Sequence, residues 1–265
     1  MTTLADTKLI RARWRRALDR HGLDNVQRSD FGGVGLATRL ESRTVQTVLL
    51  PADPEQDAVS FDEEFWEWFH AEQDTTVEGR GVRFGYQKRP TAQAAVVFDD
   101  RGRDGAWRRF LGIHRSGAVE LGLGTSGARE YQDDQGETVR IFALASIVTY
   151  TWAMLKVTME LHGRVGLPAP WQLTVGLVST KGAFLGNVAD GWAEPGSWNN
   201  SVGGCADENL LWHIEFDQVP DQGFEQNLAF EIGDRIEDAW GVAHRRYLAR
   251  QGERVGQLDH RRIID

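Results

Sequence analysis

Three side chains capable of acid–base or metal-ligating chemistry recur at every second position late in the chain: His213, Glu215 and Asp217. On a strand this spacing places all three on one face and Trp212, Ile214 and Phe216 on the other. Such a row is the wet face of a half-buried strand. With His114 lying opposite, it would instead be a site for a metal-assisted hydrolase or nuclease-like enzyme.

A second group surrounds the sequence TKGAFLGNVADGWAEPGSWNNSVGGCADEN, a connection too long and too aromatic for a plain turn. Trp192 and Trp198 offer flat surfaces for stacking on a ring or base. Lys181, Asp190, Glu194, Asn199 and Asn200 offer hydrogen bonds to a polar ligand. The competing reading is a packed Ω-loop whose Trp plugs a sheet edge. Gly122-Leu123-Gly124-Thr125-Ser126-Gly127 has the spacing of a dinucleotide-binding loop. The polar stretch after it does not read as the required helix, so it is taken as a flexible exit from a hairpin. Thr180-Lys181-Gly182 lacks the rest of a phosphate loop, and Cys205, the single cysteine, has no partner at ligand spacing. No cofactor is implied.

The elements that must position these groups read as follows. Thr7 to Arg20 forms a helix docked by Trp14 and Leu18, with arginines on its other sides. Arg11, Arg13, Arg15 and Arg16 make it a candidate arm for nucleic acid or a partner. Val34–Leu40 and Thr44–Leu50 read as a hairpin. Ser60-Phe61-Asp62-Glu63 is a capping-box pattern, opening a helix whose Phe65, Trp66, Trp68 and Phe69 belong to the core. Strands follow at Gly81–Gln87, Ala94–Phe98, Trp107–His114 and Ala118–Leu123, the last two joined through Arg115-Ser116-Gly117. Glu137–His162 reads as one long helix, apolar on nearly every side and therefore packed on both. Trp171–Val178 and Leu210–Phe216 are strands, and Gln222–Arg250 is a final amphipathic helix.

The fold class is α+β: a mostly antiparallel sheet packed against a long buried helix and a C-terminal amphipathic helix, with a smaller N-terminal lobe. The expected division is 1–93 for that lobe, 94–250 for the core domain and 251–265 for a flexible tail. The 265 residues are 41% apolar and 26% charged, with ten Trp and twelve Phe, an ordinary globular composition. One cysteine excludes an internal disulfide, and the charged N-terminal region is not a secretory signal, so a cytoplasmic location with no membrane contact is expected. A net charge of −9 argues against a surface that binds nucleic acid everywhere. Charge is uneven, however. Lys8 to Arg20 carries six basic residues against one acidic, and Asp53 to Glu78 carries ten acidic residues and no Lys or Arg.

Phe110 to Glu120, Trp171 to Val178, Gly191 to Gly196 and Asp234 to Gly241 together resemble the C-terminal half of bacterial Schlafen-like (AlbA_2-type) DNA-binding proteins, over about 110–248. The resemblance implies a regulatory or antiviral-defence setting. Residues 1–93 do not match the N-terminal domain that carries nucleic-acid function in that family, so no functional residue transfers. The expected function is a non-catalytic binding or regulatory module. It would recognise a protein partner, or nucleic acid through a local basic patch, by way of the 180–209 loop and the N-terminal arginines. A metal-assisted enzyme using the His213 row is the alternative.

Overall fold

The computed structural model describes residues 4–23, 35–72, 74–77, 80–132, 135–186, 202–217 and 223–242. It is an α+β structure organised on one antiparallel sheet. In chain order the elements are α1 (Leu4–His21), β1 (Val45–Leu50), α2 (Glu63–Glu72), β2 (Asp74–Val77), β3 (Arg80–Arg83), β4 (Gln87–Pro90), β5 (Ala94–Asp99), β6 (Arg109–His114), β7 (Val119–Leu123), β8 (Ala128–Gln132), β9 (Thr138–Ala143), α3 (Leu144–Val165), β10 (Trp171–Val178), β11 (Phe184–Gly186), β12 (Val202–Gly203), β13 (Asn209–Phe216) and α4 (Phe224–Ala239).

Seven strands form the main sheet in the order β13-β10-β1-β7-β6-β5-β4. Strand β1 lies between β10 and β7, and β4 pairs with β5, so two strands from residues 1–93 belong to the same sheet as those of the core. Alternate residues serve two layers. Leu49, Leu111, Val119, Leu121, Leu173 and Val175 belong to the main core with α3, whereas Val48, Leu50, Ala118 and Val178 pack with Trp14, Ala17 and Leu18 of α1. Because both faces are covered, β1, β7 and β10 are buried along their whole length.

Helix α3 is buried on nearly every side, its core shared with α2, the β2–β3 hairpin and α4. It ends at Gly166, whose φ of 69° places it in the left-handed region that glycine adopts without strain. A smaller sheet of order β12-β11-β9-β8 contains the parallel pair β11–β9.

Several expected elements differ. The first residues of the presumed long helix, Thr138–Ala143, are strand β9, pairing with β8 and β11. A short apolar run has no periodicity that separates a buried strand from a buried helix, and tertiary pairing decided it. Gly35–Arg39 is a 3-10 turn rather than a strand, and Leu40 makes only an isolated bridge to Trp107. Asp62, not Ser60, caps α2, its Oδ1 accepting the Phe65 N–H at 2.9 Å. The presumed strand from Gly81 to Gln87 is divided between two sheets. It breaks at Gly85, where a Cβ would sit 2.1 Å from the main chain of Phe98. The Gly122-x-Gly124-x-x-Gly127 pattern is a packing device leading into β8. A Cβ on Gly122 would lie 2.2 Å from the Phe110 ring, and one on Gly124 2.9 Å from the Ser42 carbonyl oxygen.

His162, at the end of α3, sits edge-on against Trp171 with its Nε2 on the Gly117 carbonyl at 3.1 Å. Its Nδ1 is buried without a partner, so a proton there would be unsolvated. Burial holds the imidazole down at about 4, the single backbone bond offsetting only part of that. The unfolded chain protonates this group near pH 6.5, whereas the folded chain waits until about 4. Its stabilising contribution is therefore complete above pH 6.5 and declines as the pH falls through this window, by up to about 3 kcal/mol. Urea unfolding of the wild type should become easier from pH 7 to 4, and His162→Gln should flatten that dependence. An identical slope in the variant would contradict the assignment.

Candidate functional site

On the face of the main sheet covered by α1, a buried polar cluster forms where β1, β6 and β7 meet the C-terminal turn of the helix. Glu120 of β7 is fully buried there. The β6–β7 hairpin turns at Ser116-Gly117, with the Gly117 N–H on the His114 carbonyl and the His114 N–H on Ala118. That register places His114 and Glu120 on one face, diagonal to each other across the hairpin. Helix α1 adds His21, which follows Trp14 and Leu18 along the stripe facing the sheet.

Three donors converge on the Glu120 carboxylate. Oε2 lies 3.0 Å from His21 Nδ1 and 3.2 Å from His114 Nε2, and Oε1 accepts from Gln46 Nε2 at 2.9 Å. The same Gln46 amide donates to the His21 carbonyl at 2.8 Å, joining β1 to the end of α1. The two imidazoles meet edge to face with centroids 4.8 Å apart.

Burial alone would raise the Glu120 carboxyl, but His21 and His114 outweigh it and hold the group well below the ordinary carboxylate range. Glu120 is therefore ionised at neutral pH. An ionised carboxylate only accepts, so both ring nitrogens facing it carry hydrogen. Burial lowers the His114 imidazole, and the bond to Glu120 only partly restores it. Neutral His114, with its proton on Nε2, keeps a lone pair on Nδ1.

Both imidazoles also border a cavity of about 390 Å³, lined among the described residues by Arg20, Gln93, Arg115 and Ser116 as well. Glu120 lies behind the histidines, out of solvent. His21, His114 and Glu120 are also the group among the described residues whose ligand atoms could hold a metal ion, all within 4.8 Å of one another.

The residues singled out in the sequence lie elsewhere. His213 and Glu215 share one exposed face of β13, with Trp212, Ile214 and Phe216 packed against the core, and Asp217 is exposed just past the end of the strand. They do not form a site with His114, because β10, β1 and β7 separate their strand from β6. Glu215 instead accepts from Arg11 at 2.8 Å, and His213 Nδ1 lies 2.9 Å from Thr174 Oγ1. Two more arginines of the expected arm are paired internally, Arg13 with Asp53 and Arg16 with Glu55, each at 2.8 Å. Arg15 is exposed. The basic helix thus meets part of the acidic segment within the same chain.

Lys181 is exposed in the turn before β11, and Cys205 is buried. Asp190, Trp192, Glu194, Trp198, Asn199 and Asn200 lie outside the described residues, as does the 251–265 tail. No helix among the described residues is long and apolar enough to cross a membrane.

No protein-family model, curated protein or solved structure matches this chain.

His21 and Glu120 escaped the sequence reading, although each leaves a signal. Glu120 is an acid inside the otherwise apolar run Ala118-Val119-Glu120-Leu121-Gly122-Leu123, and His21 continues the Trp14–Leu18 stripe. Removing a buried charge from donors that stay behind is costly. Glu120→Ala should lose about 3–5 kcal/mol in urea unfolding, and Glu120→Gln less, since an amide oxygen still accepts. A Glu120→Ala variant as stable as the wild type would contradict the network.

Proposed function

We propose that this protein is a hydrolytic enzyme acting on a small polar molecule held in the cavity beside α1, with His21, His114 and Glu120 as its reacting centre. One observation carries the reading: a buried carboxylate lies within hydrogen-bond distance of two histidines that line the same cavity. A network serving stability alone needs no opening to a cavity, and well-packed apolar residues would hold α1 about as well. Oriented imidazoles beside a bound water or hydroxyl supply proton transfer worth about 10²–10⁴ in rate. Turnover of a panel of small esters, amides and phosphoesters should fall by about 10² or more in His114→Gln, which keeps a donor toward Glu120. Turnover unchanged in both His114→Gln and His21→Gln, or none on any member of the panel, would overturn it.

A second reading retains nucleic-acid binding, with a surface other than the N-terminal arginines. From Arg80 to Arg115 there are nine basic residues against three acidic, in a chain of net charge −9. Strand β4, an outer strand of the main sheet, exposes Arg89, and beside it Tyr86 is half exposed. The Arg101 and Arg83 guanidinium carbons lie 4.3 and 5.1 Å from the Tyr86 ring centroid. Aromatic and cationic groups side by side suit a single strand, through stacking and phosphate contact. A labelled single-stranded oligonucleotide should bind with an affinity that falls as salt rises and is weakened by Arg89→Glu and Tyr86→Ala. Absence of binding at low salt would contradict this reading.

A further inference from the structure

We propose that His21 Nδ1, His114 Nε2 and Glu120 Oε2 are the three protein ligands of a divalent transition-metal ion of the zinc class. The inference rests on the reading of this cavity as the active site and names the cofactor that would work there. Two ligands bound side by side to one ion at about 2.1 Å lie about 3.0–3.4 Å apart. The two nitrogen–oxygen separations, 3.0 and 3.2 Å, fall in that range, and the two imidazoles, whose ligand atoms lie within 4.8 Å of each other, would close toward one another on the ion. Two imidazoles and a carboxylate form a donor set suited to Zn²⁺, Fe²⁺ or Mn²⁺, and three protein ligands rather than four are typical of catalytic sites.

The Glu120 carboxylate supplies a negative charge at the ligand atoms, while Arg20 and Arg115 stand at the wall of the cavity. The partners of the buried Glu120 carboxylate among the described residues are two histidines and an amide, with no Lys or Arg among them. Gln46 donates to the carboxylate oxygen that is not a ligand, the outer-shell bond that fixes a ligating carboxylate. His114 and Glu120 are held by the β6–β7 register and His21 by the packing of α1 on the sheet, so binding asks for side-chain rotation rather than for ordering of the backbone. Binding exchanges the two N–H···O bonds for coordination. Each imidazole then carries its one proton on the other ring nitrogen, and Glu120 stays ionised. The cavity beside both histidines leaves room for water at the remaining position, where a metal lowers its pKa toward neutrality.

The test is titration of the chelator-treated full chain with Zn²⁺ by calorimetry and with Co²⁺ by visible absorption, alongside the turnover assay. One ion per chain is expected, with nitrogen- and oxygen-type ligand-field bands for Co²⁺. Gln46→Leu should weaken Zn²⁺ binding about 10–100-fold, and His114→Gln, shown to be folded by circular dichroism, should weaken it more. Zn²⁺ binding that is absent, or unchanged in folded His114→Gln, would overturn the metal assignment. Turnover persisting in the metal-free protein would also overturn it, while leaving the enzymatic reading intact with the histidines as acid and base. Stoichiometric, His114-dependent Zn²⁺ binding without turnover would uphold the metal site and overturn the enzymatic reading.

Discussion

The Glu120 carboxylate, taken out of water in the middle of the main sheet, constrains much of this structure. An uncompensated buried charge costs several kcal/mol, and Glu120 escapes that cost only when His21, His114 and Gln46 arrive together. Those residues come from α1, β6 and β1. The position of the first helix, the diagonal across the β6–β7 hairpin and the central place of β1 are thus tied to one group. Shifting β7 by one residue would turn Glu120 into the α3 core, away from His21, His114 and Gln46.

Helix α1 is held at both ends and in the middle by interactions of unequal strength. Its ion pairs to Glu215, Asp53 and Glu55 involve partly exposed side chains, and such pairs contribute little in water. The burial of Trp14, Ala17 and Leu18 against Val48 and Leu50 contributes far more, and Trp14 also donates to the Pro51 carbonyl at 2.7 Å. The arginines therefore set direction rather than strength: they bring the basic helix against the acidic segment and leave His21 over Glu120. The excess of opposite charges within the first 80 residues, which suggested an external partner, is satisfied in part inside the chain.

Much of the scaffold was legible in the residues. Alternation and hairpin chemistry located β5, β6, β7, β10 and β13 within a residue or two, and the aromatic residues of α2 were rightly placed in the core. Errors fell where pattern carries no directional information. Thr138–Ala143 is apolar enough for either a strand or a buried helix, and only pairing with Ala128–Gln132 and Phe184–Gly186 makes it β9. The site was harder because its members are distant in sequence: 99 residues separate His21 from Glu120. The His213 row was visible for the opposite reason, since period-two spacing on one strand is local. His213 and Glu215 are indeed on one face, but locality guarantees a shared face and not a shared site.

The most direct measurement of the central claim is nitrogen-15 NMR of the histidine side chains in the metal-free protein at neutral pH. An ionised Glu120 accepting from both rings requires a proton on Nδ1 of His21 and on Nε2 of His114, each slow to exchange, with His114 Nδ1 unprotonated. Those tautomers, lost in Glu120→Ala, are the predicted result. A His114 ring protonated on Nδ1 alone, or rings averaging rapidly between tautomers in the folded protein, would mean that no carboxylate holds them and would contradict the account.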